Sequence, residues 1–157
     1  MSVSPQPNDA DTIALQRAQD LWSRIRDSSP IYDFLLANIK LGSASEGSVI
    51  AKLVVGPRHV NSSGTLHGAV SATIADWAGG MAIATTGLKK TGASLDIHVT
   101  YVSTARIGDE LEIDAVANKV GKSIAFTSMK INKVSENGSR TVVATATHTK
   151  YVFQKAT

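Results

Sequence analysis

One stretch limits what this chain can become. Asn61 to Gly87 reads NSSGTLHGAVSATIADWAGGMAIATTG, and from Leu66 to Thr86 it predicts one long helix. Leu66, Val70, Ala72, Ile74, Ala75, Trp77, Ala78, Met81, Ala82, Ile83 and Ala84 leave almost no polar side. A helix that is apolar all round is a buried helix, so the remaining chain has to wrap it. Between His67 and Lys89 the only acidic or basic residue is Asp76. A carboxylate there is costly unless donors compensate, and proteins that keep such a group often use it. The plainer alternative is that Asp76 braces a neighbouring loop. Gly87 ends the helix.

The wrapping is written downstream in period two. Leu95, Ile97, Val99 and Tyr101 alternate with Ser94, Asp96, His98 and Thr100, which predicts a half-buried strand. Leu111, Ile113, Ala115 and Ala117 repeat the pattern after a turn near Gly108-Asp109. Gly121-Lys122 turns the chain into Ser123–Val134, Asn137-Gly138 is a hairpin signal, and Arg140–Phe153 is the last strand. Four consecutive strands with short connections imply an antiparallel sheet.

Upstream, residues 1–8 are polar and proline-bearing and read as a loose tail. Asn8 or Asp9 caps a helix through about Asp27, with Ile13, Leu21, Trp22 and Ile25 as its apolar stripe. Ser28-Ser29-Pro30 breaks it, Ile31–Asn38 is a short helical segment, and Ile39–Ala44 with Ser48–Val55 forms a hairpin about Glu46-Gly47. The expected class is α+β, a curved antiparallel sheet around one central helix. Residues 1–30 are read as an N-terminal tail and helix, and residues 31–157 as the domain proper.

Several chemistries are excluded. There is no cysteine, hence no disulfide, thiolate metal site or cysteine nucleophile. His59, His67, His98 and His148 have no metal-ligand spacing, and His98 and His148 read as ordinary strand residues. Gly121-Lys122-Ser123 lacks the P-loop glycine, because position 116 is Val116, and it falls at a strand–strand turn. There is no GxSxG elbow. The net charge of +3 is scattered, suiting a small anion and not a nucleic acid. No membrane segment is expected. The N-terminus has no apolar signal core and carries Asp9 and Asp11, so a cytoplasmic location is the expectation.

His67-Gly68 opens the central helix, where free N–H groups and the helix dipole favour negative charge. Gly68 has no side chain to hold a substrate off its own N–H, which equips it to stabilise an oxyanion; close packing is the structural alternative. Asp76 can act as base or nucleophile. The two are eight residues apart, about 12 Å along a helix, and one carbonyl needs both within roughly 3 Å. If both are catalytic, Gly68 of one subunit must face Asp76 of another across a two-fold axis.

Asn61-x-x-Gly64-Thr65-Leu66-His67-Gly68, then Asp76, then Ser94-x-Asp96-x-x-x-x-Tyr101, resembles the hotdog-fold acyl-CoA thioesterases of the phenylacetyl-CoA thioesterase and thioesterase superfamily member 2 type. The likeness covers about Val54 to Tyr151, including Gly121-Lys122-Ser123-Ile124-Ala125-Phe126 and His148-Thr149-Lys150. It implies that Asp76 activates water or attacks the thioester itself, and that the Gly68 N–H polarises the carbonyl. Asn61 would position substrate or water on the Gly68 side, and Ser94 would orient water on the Asp76 side. It also implies a coenzyme A path over Tyr101–Arg106 and Lys119–Ile124, with contacts near Asp96 and Tyr151. Substrate-binding candidates are thus His67, Asp96, Tyr101, Arg106, Lys119, Gly121, Lys122, Ser123 and Tyr151, with Arg106, Lys119 and Lys122 toward phosphates.

The resemblance implies no metal or organic cofactor, no nucleic acid, and a homodimer at least, commonly paired into a homotetramer. Two departures stand out. Ala69 replaces a second glycine, and Tyr101-Val102-Ser103-Thr104-Ala105 lacks a turn proline. Two other activities fit the same motifs: a hotdog hydratase or dehydratase with His67 as base, and a non-catalytic acyl-CoA-binding module. Gly79 and Gly80, mid-helix, allow close packing or leave room for an acyl chain.

Overall fold

The computed structural model describes residue 6 and residues 8–153. The tail expected over residues 1–8 lies largely outside the described residues. The chain opens with helix α1 (Asp9–Arg26), capped by the Asn8 side chain, which accepts the Asp11 N–H. Helix α2 (Pro30–Leu36) follows, started by the proline that breaks α1. Strands β1 (Lys40–Ser45) and β2 (Ser48–Val54) form the expected hairpin, with Gly47 at φ 82° in its turn. After a short 3-10 turn at Pro57–His59 comes the central helix α3 (Gly68–Thr85). Strands β3 (Ala93–Tyr101), β4 (Glu110–Val120), β5 (Ile124–Val134) and β6 (Arg140–Tyr151) complete the molecule.

The central helix begins two residues later than its apolar pattern suggests. Leu66 bridges to Val60 in extended backbone, and the His67 side chain caps the helix by accepting the Ala69 N–H. From Trp77 to Thr85 every residue is buried. The antiparallel sheet curves around α3, and α1 packs on it as well, adding Ala18, Leu21 and Trp22 to the core. This is the hotdog architecture.

The sheet is antiparallel, as expected, in the order β1-β2-β4-β5-β6-β3, so β3 and β4 are not neighbours. After β3, at one edge, the chain passes β6 and β5 to reach β4 in the interior of the sheet, and β3 pairs with β6. Gly92 makes the entry to β3 possible: at φ +81°, a Cβ there would lie 2.0 Å from the Tyr151 carbonyl oxygen. The strand is not half-buried either. Leu95, Ile97 and Tyr101 are exposed, and among the described residues one edge of β3 has no partner in this chain. Among the described residues, no helix is long and apolar enough to cross a membrane.

Candidate active site

Asp76 lies in the middle of α3, where the helix passes beneath the start of β3 and the end of β6. Its side chain keeps 35% of its exposure and opens on a cleft lined by Ser29, Ile31, Tyr32, Ala72 and Thr73. Donors compensate the carboxylate. Ser94 Oγ donates to Oδ1 at 3.2 Å, and the Tyr32 hydroxyl donates to Oδ2. His148 Nε2 stands 2.8 Å from Ser94 Oγ and 3.8 Å from Asp76 Oδ1.

A β-bulge brings Ser94 here. Strict alternation puts Ser94 on the same face as Asp96 and His98. The register instead pairs Ser94 with Lys150 and Asp96 with Thr149, leaving Leu95 as the extra residue. The bulge turns Ser94 inward beside Ile97, onto the face that meets α3.

His148 is no ordinary strand residue. It is buried and faces α3, and a Cβ on Gly79 would meet its Nδ1 and Thr127 Oγ1, each at 2.8 Å. Gly79 therefore serves close packing of helix against strand, and Gly80 abuts Thr91 and Lys150. Burial first, and then the Lys150 ammonium, holds the His148 imidazole below the ordinary histidine range. The unfolded chain thus takes up this proton more readily, and stability falls as pH drops from about 6.5 through the lower folded value. Thermal melts from about pH 8 to about pH 5 should show Tm falling on the acid side of that window. His148→Gln, which cannot charge, should flatten that fall; an unchanged slope would assign it to other groups.

The Gly68 end is built differently. As first residue of α3, Gly68 has no intrahelical acceptor for its N–H, and among the described residues nothing else takes it. Its carbonyl accepts from the Tyr101 hydroxyl at 3.0 Å, and a Cβ on Gly68 would press the Tyr101 ring at 3.2 Å. Asn61 holds the preceding loop, its Oδ1 accepting from the N–H groups of Ser63 and Thr65 and its Nδ2 donating to Thr65 Oγ1. His67 is exposed, but its Nδ1 is engaged as the helix cap.

The remaining candidates fall into two groups. Lys119, Phe126, Thr149 and Asp96 form one cross-strand row. Beside it, Gly121 closes the β4–β5 turn through its N–H to Ile124, and Ser123 accepts the Val152 N–H. Lys122 is exposed on that turn, and Tyr151 stacks on Phe153. Arg106 lies at the opposite end of β3, bridged to Thr65 near Gly68. Within one chain the structure brings Asp76 to Ser94, and Gly68 to Tyr101 with Asn61 in the loop before it, but not the two sets to each other. Among the described residues no three His, Asp or Glu side chains converge as a metal site.

Tyr32 and His148 are absent from the sequence-based candidates. His148 sits in the quoted His148-Thr149-Lys150 motif, which was its available signal. Tyr32 had none, because its approach to Asp76 depends on how α2 folds back.

Comparison with known proteins agrees with this geometry. The Thioesterase superfamily family model matches residues 63–139. Human (Homo sapiens) acyl-coenzyme A thioesterase 13 is 36% identical over 121 residues, covering 77% of this chain and 84% of that protein. The crystal structure of zebra fish thioesterase superfamily member 2 superposes with a TM-score of 0.77 at 32% identity, over 88% of this chain and 97% of that one. A Streptococcus mutans protein solved with acetyl CoA superposes at 0.66 and 25% identity, over 76% and 92% of the two chains. With this likeness extending across the helix that carries Asp76 and the strands that close over it, the chain belongs to the thioesterase superfamily, as a hotdog-fold thioester hydrolase.

Proposed function

We propose that this protein hydrolyses acyl-CoA thioesters to a carboxylic acid and free coenzyme A, at sites shared between two copies of the chain. The observation that carries the reading is the hydrogen-bonded Asp76–Ser94 pair at a cleft on an otherwise buried helix. The relatives' names, acyl-coenzyme A thioesterase among them, and the acetyl CoA bound to a structural neighbour support the substrate class.

The unpartnered edge of β3 supplies the dimer. α3 runs antiparallel to β3, since Gly68 touches Tyr101 and Asp76 touches Ser94. Pairing two β3 edges antiparallel sets the Ser94 end of one against the Tyr101 end of the other. Asp76 then faces the Gly68 N–H of the second copy. The same operation carries Arg106 of one copy, nine strand residues or about 30 Å from its own Lys119–Ser123 turn, to that turn on the other. One symmetry thus joins both halves of the chemistry and both halves of the coenzyme A path. Pairs of such dimers give the tetramer.

The reaction follows from these positions. Asp76 takes a proton from water held by Ser94, and the water oxygen bonds to the thioester carbon. The carbonyl oxygen becomes an oxyanion against the Gly68 N–H of the other copy, with Asn61 securing the loop that presents it. Collapse breaks the carbon–sulfur bond, and the proton on Asp76 passes to the leaving thiolate. Direct attack by Asp76 through a mixed anhydride uses the same contacts. The hydratase alternative with His67 as base is disfavoured, because His67 Nδ1 already caps its own helix.

Thiol release from short, aryl and long acyl-CoAs tests the function. Release from at least one class is expected. Binding without thiol release across the whole panel would instead make this a binding module.

A further inference from the structure

The two oxygens of Asp76 are held from different parts of the chain. Oδ1 accepts from Ser94 of β3, and Oδ2 accepts from the Tyr32 hydroxyl of α2. The Tyr32 ring is itself set from the core. Trp22 of α1 meets it edge-on at 6.1 Å between centroids, and Trp22 meets Trp77 of α3 edge-on at 5.5 Å. A file of three aromatic rings therefore delivers one phenol to one carboxylate oxygen. Burial, then the hydrogen bond and charge of Asp76, pushes the Tyr32 hydroxyl far above its ordinary range, so it stays a protonated donor.

We propose that Tyr32 is a positioning residue: by occupying Oδ2 it fixes the carboxylate plane so that Oδ1, shared with Ser94, is the oxygen presented to the reacting group. The kinetic half of this proposal rests on the thioesterase reading. The groups that bear on Asp76 are Tyr32 from α2, Ser94 from β3, and His148 and Lys150 from β6, with Asp96 of β3 acting on His148. Of these, Tyr32 alone donates to Oδ2.

Tyr32→Phe keeps the ring and its packing on Trp22 and removes only the oxygen. The expected result is a kcat lower by about tenfold with KM within about twofold. At neutral pH the Asp76 carboxyl-carbon NMR resonance should move on loss of the bond. Unchanged kcat overturns the proposal. If the wild type hydrolyses no acyl-CoA, the functional reading fails separately, and the NMR comparison still decides: an unmoved resonance overturns the link to Tyr32. If the phenylalanine variant does not fold, 3-fluorotyrosine at position 32 retains the shape with a stronger donor, and an Asp76 resonance that it leaves unmoved again overturns the proposal.

Discussion

Asp76→Asn is expected to leave the fold intact and to lower kcat by about 10²–10⁴-fold. The amide matches the carboxylate in shape, so the packing of α3 under the sheet is undisturbed. Its one oxygen can accept from either Ser94 or Tyr32, but its NH₂ needs the other hydroxyl to turn and accept, a mismatch with the wild-type arrangement. That mismatch costs about 1–3 kcal/mol at a part-buried site, within what a single domain tolerates. What disappears is the only group at this position able to take a proton from water or form a bond to the acyl carbon. The measurement is thiol release under saturating acyl-CoA, beside far-UV circular dichroism and a thermal melt. A folded variant with near-wild-type turnover would remove Asp76 from the mechanism and leave it a brace between α2, α3 and β3.

The parts of this site differ in how legible they were, for physical reasons. The central helix announced itself because burial on all sides leaves no room for polar residues, and Asp76 stood out as the one exception. Gly68 followed from the chemistry of a helix start. Ser94 did not follow from pattern: alternation placed it with Asp96 and His98, and only the bulge at Leu95 turns it inward. The family resemblance named it as a candidate, where periodicity alone places it on the other face. Tyr32 and His148 reach the site across 44 and 54 residues of chain from their partners. Such contacts exist only after folding and leave no local trace. The pairing of β3 with β6 was missed for a related reason. A short loop suggests a hairpin, but residues 102–109 lead past β6 and β5 to β4, and that crossover leaves β3 at the edge of the sheet. The edge, invisible in the sequence, supports the dimer that the Gly68–Asp76 spacing demands if both residues are catalytic.

That demand has a consequence large enough to measure. Gly68→Val should abolish most activity, because its side chain intrudes where the carbonyl must approach the N–H and presses on Tyr101. Asp76→Asn should abolish it for a different reason. Each homodimer then carries two broken sites. In a mixed dimer of the two variants, one site pairs Gly68 of the Asp76→Asn chain with Asp76 of the Gly68→Val chain, and both are intact. The other site combines both lesions. Random co-assembly makes half the dimers mixed, each with one working site of two, so co-expression should restore about a quarter of wild-type activity. If each site were built within one chain, every site in every mixture would carry a lesion and nothing would return. Co-expression with separable affinity tags, followed by isolation of the mixed species, raises the expected recovery to about half. Residual activity no higher than that of the separate variants would mean that Gly68 and Asp76 do not meet across an interface. Geometry would then force one of them out of the chemistry, because on a single helix they remain about 12 Å apart.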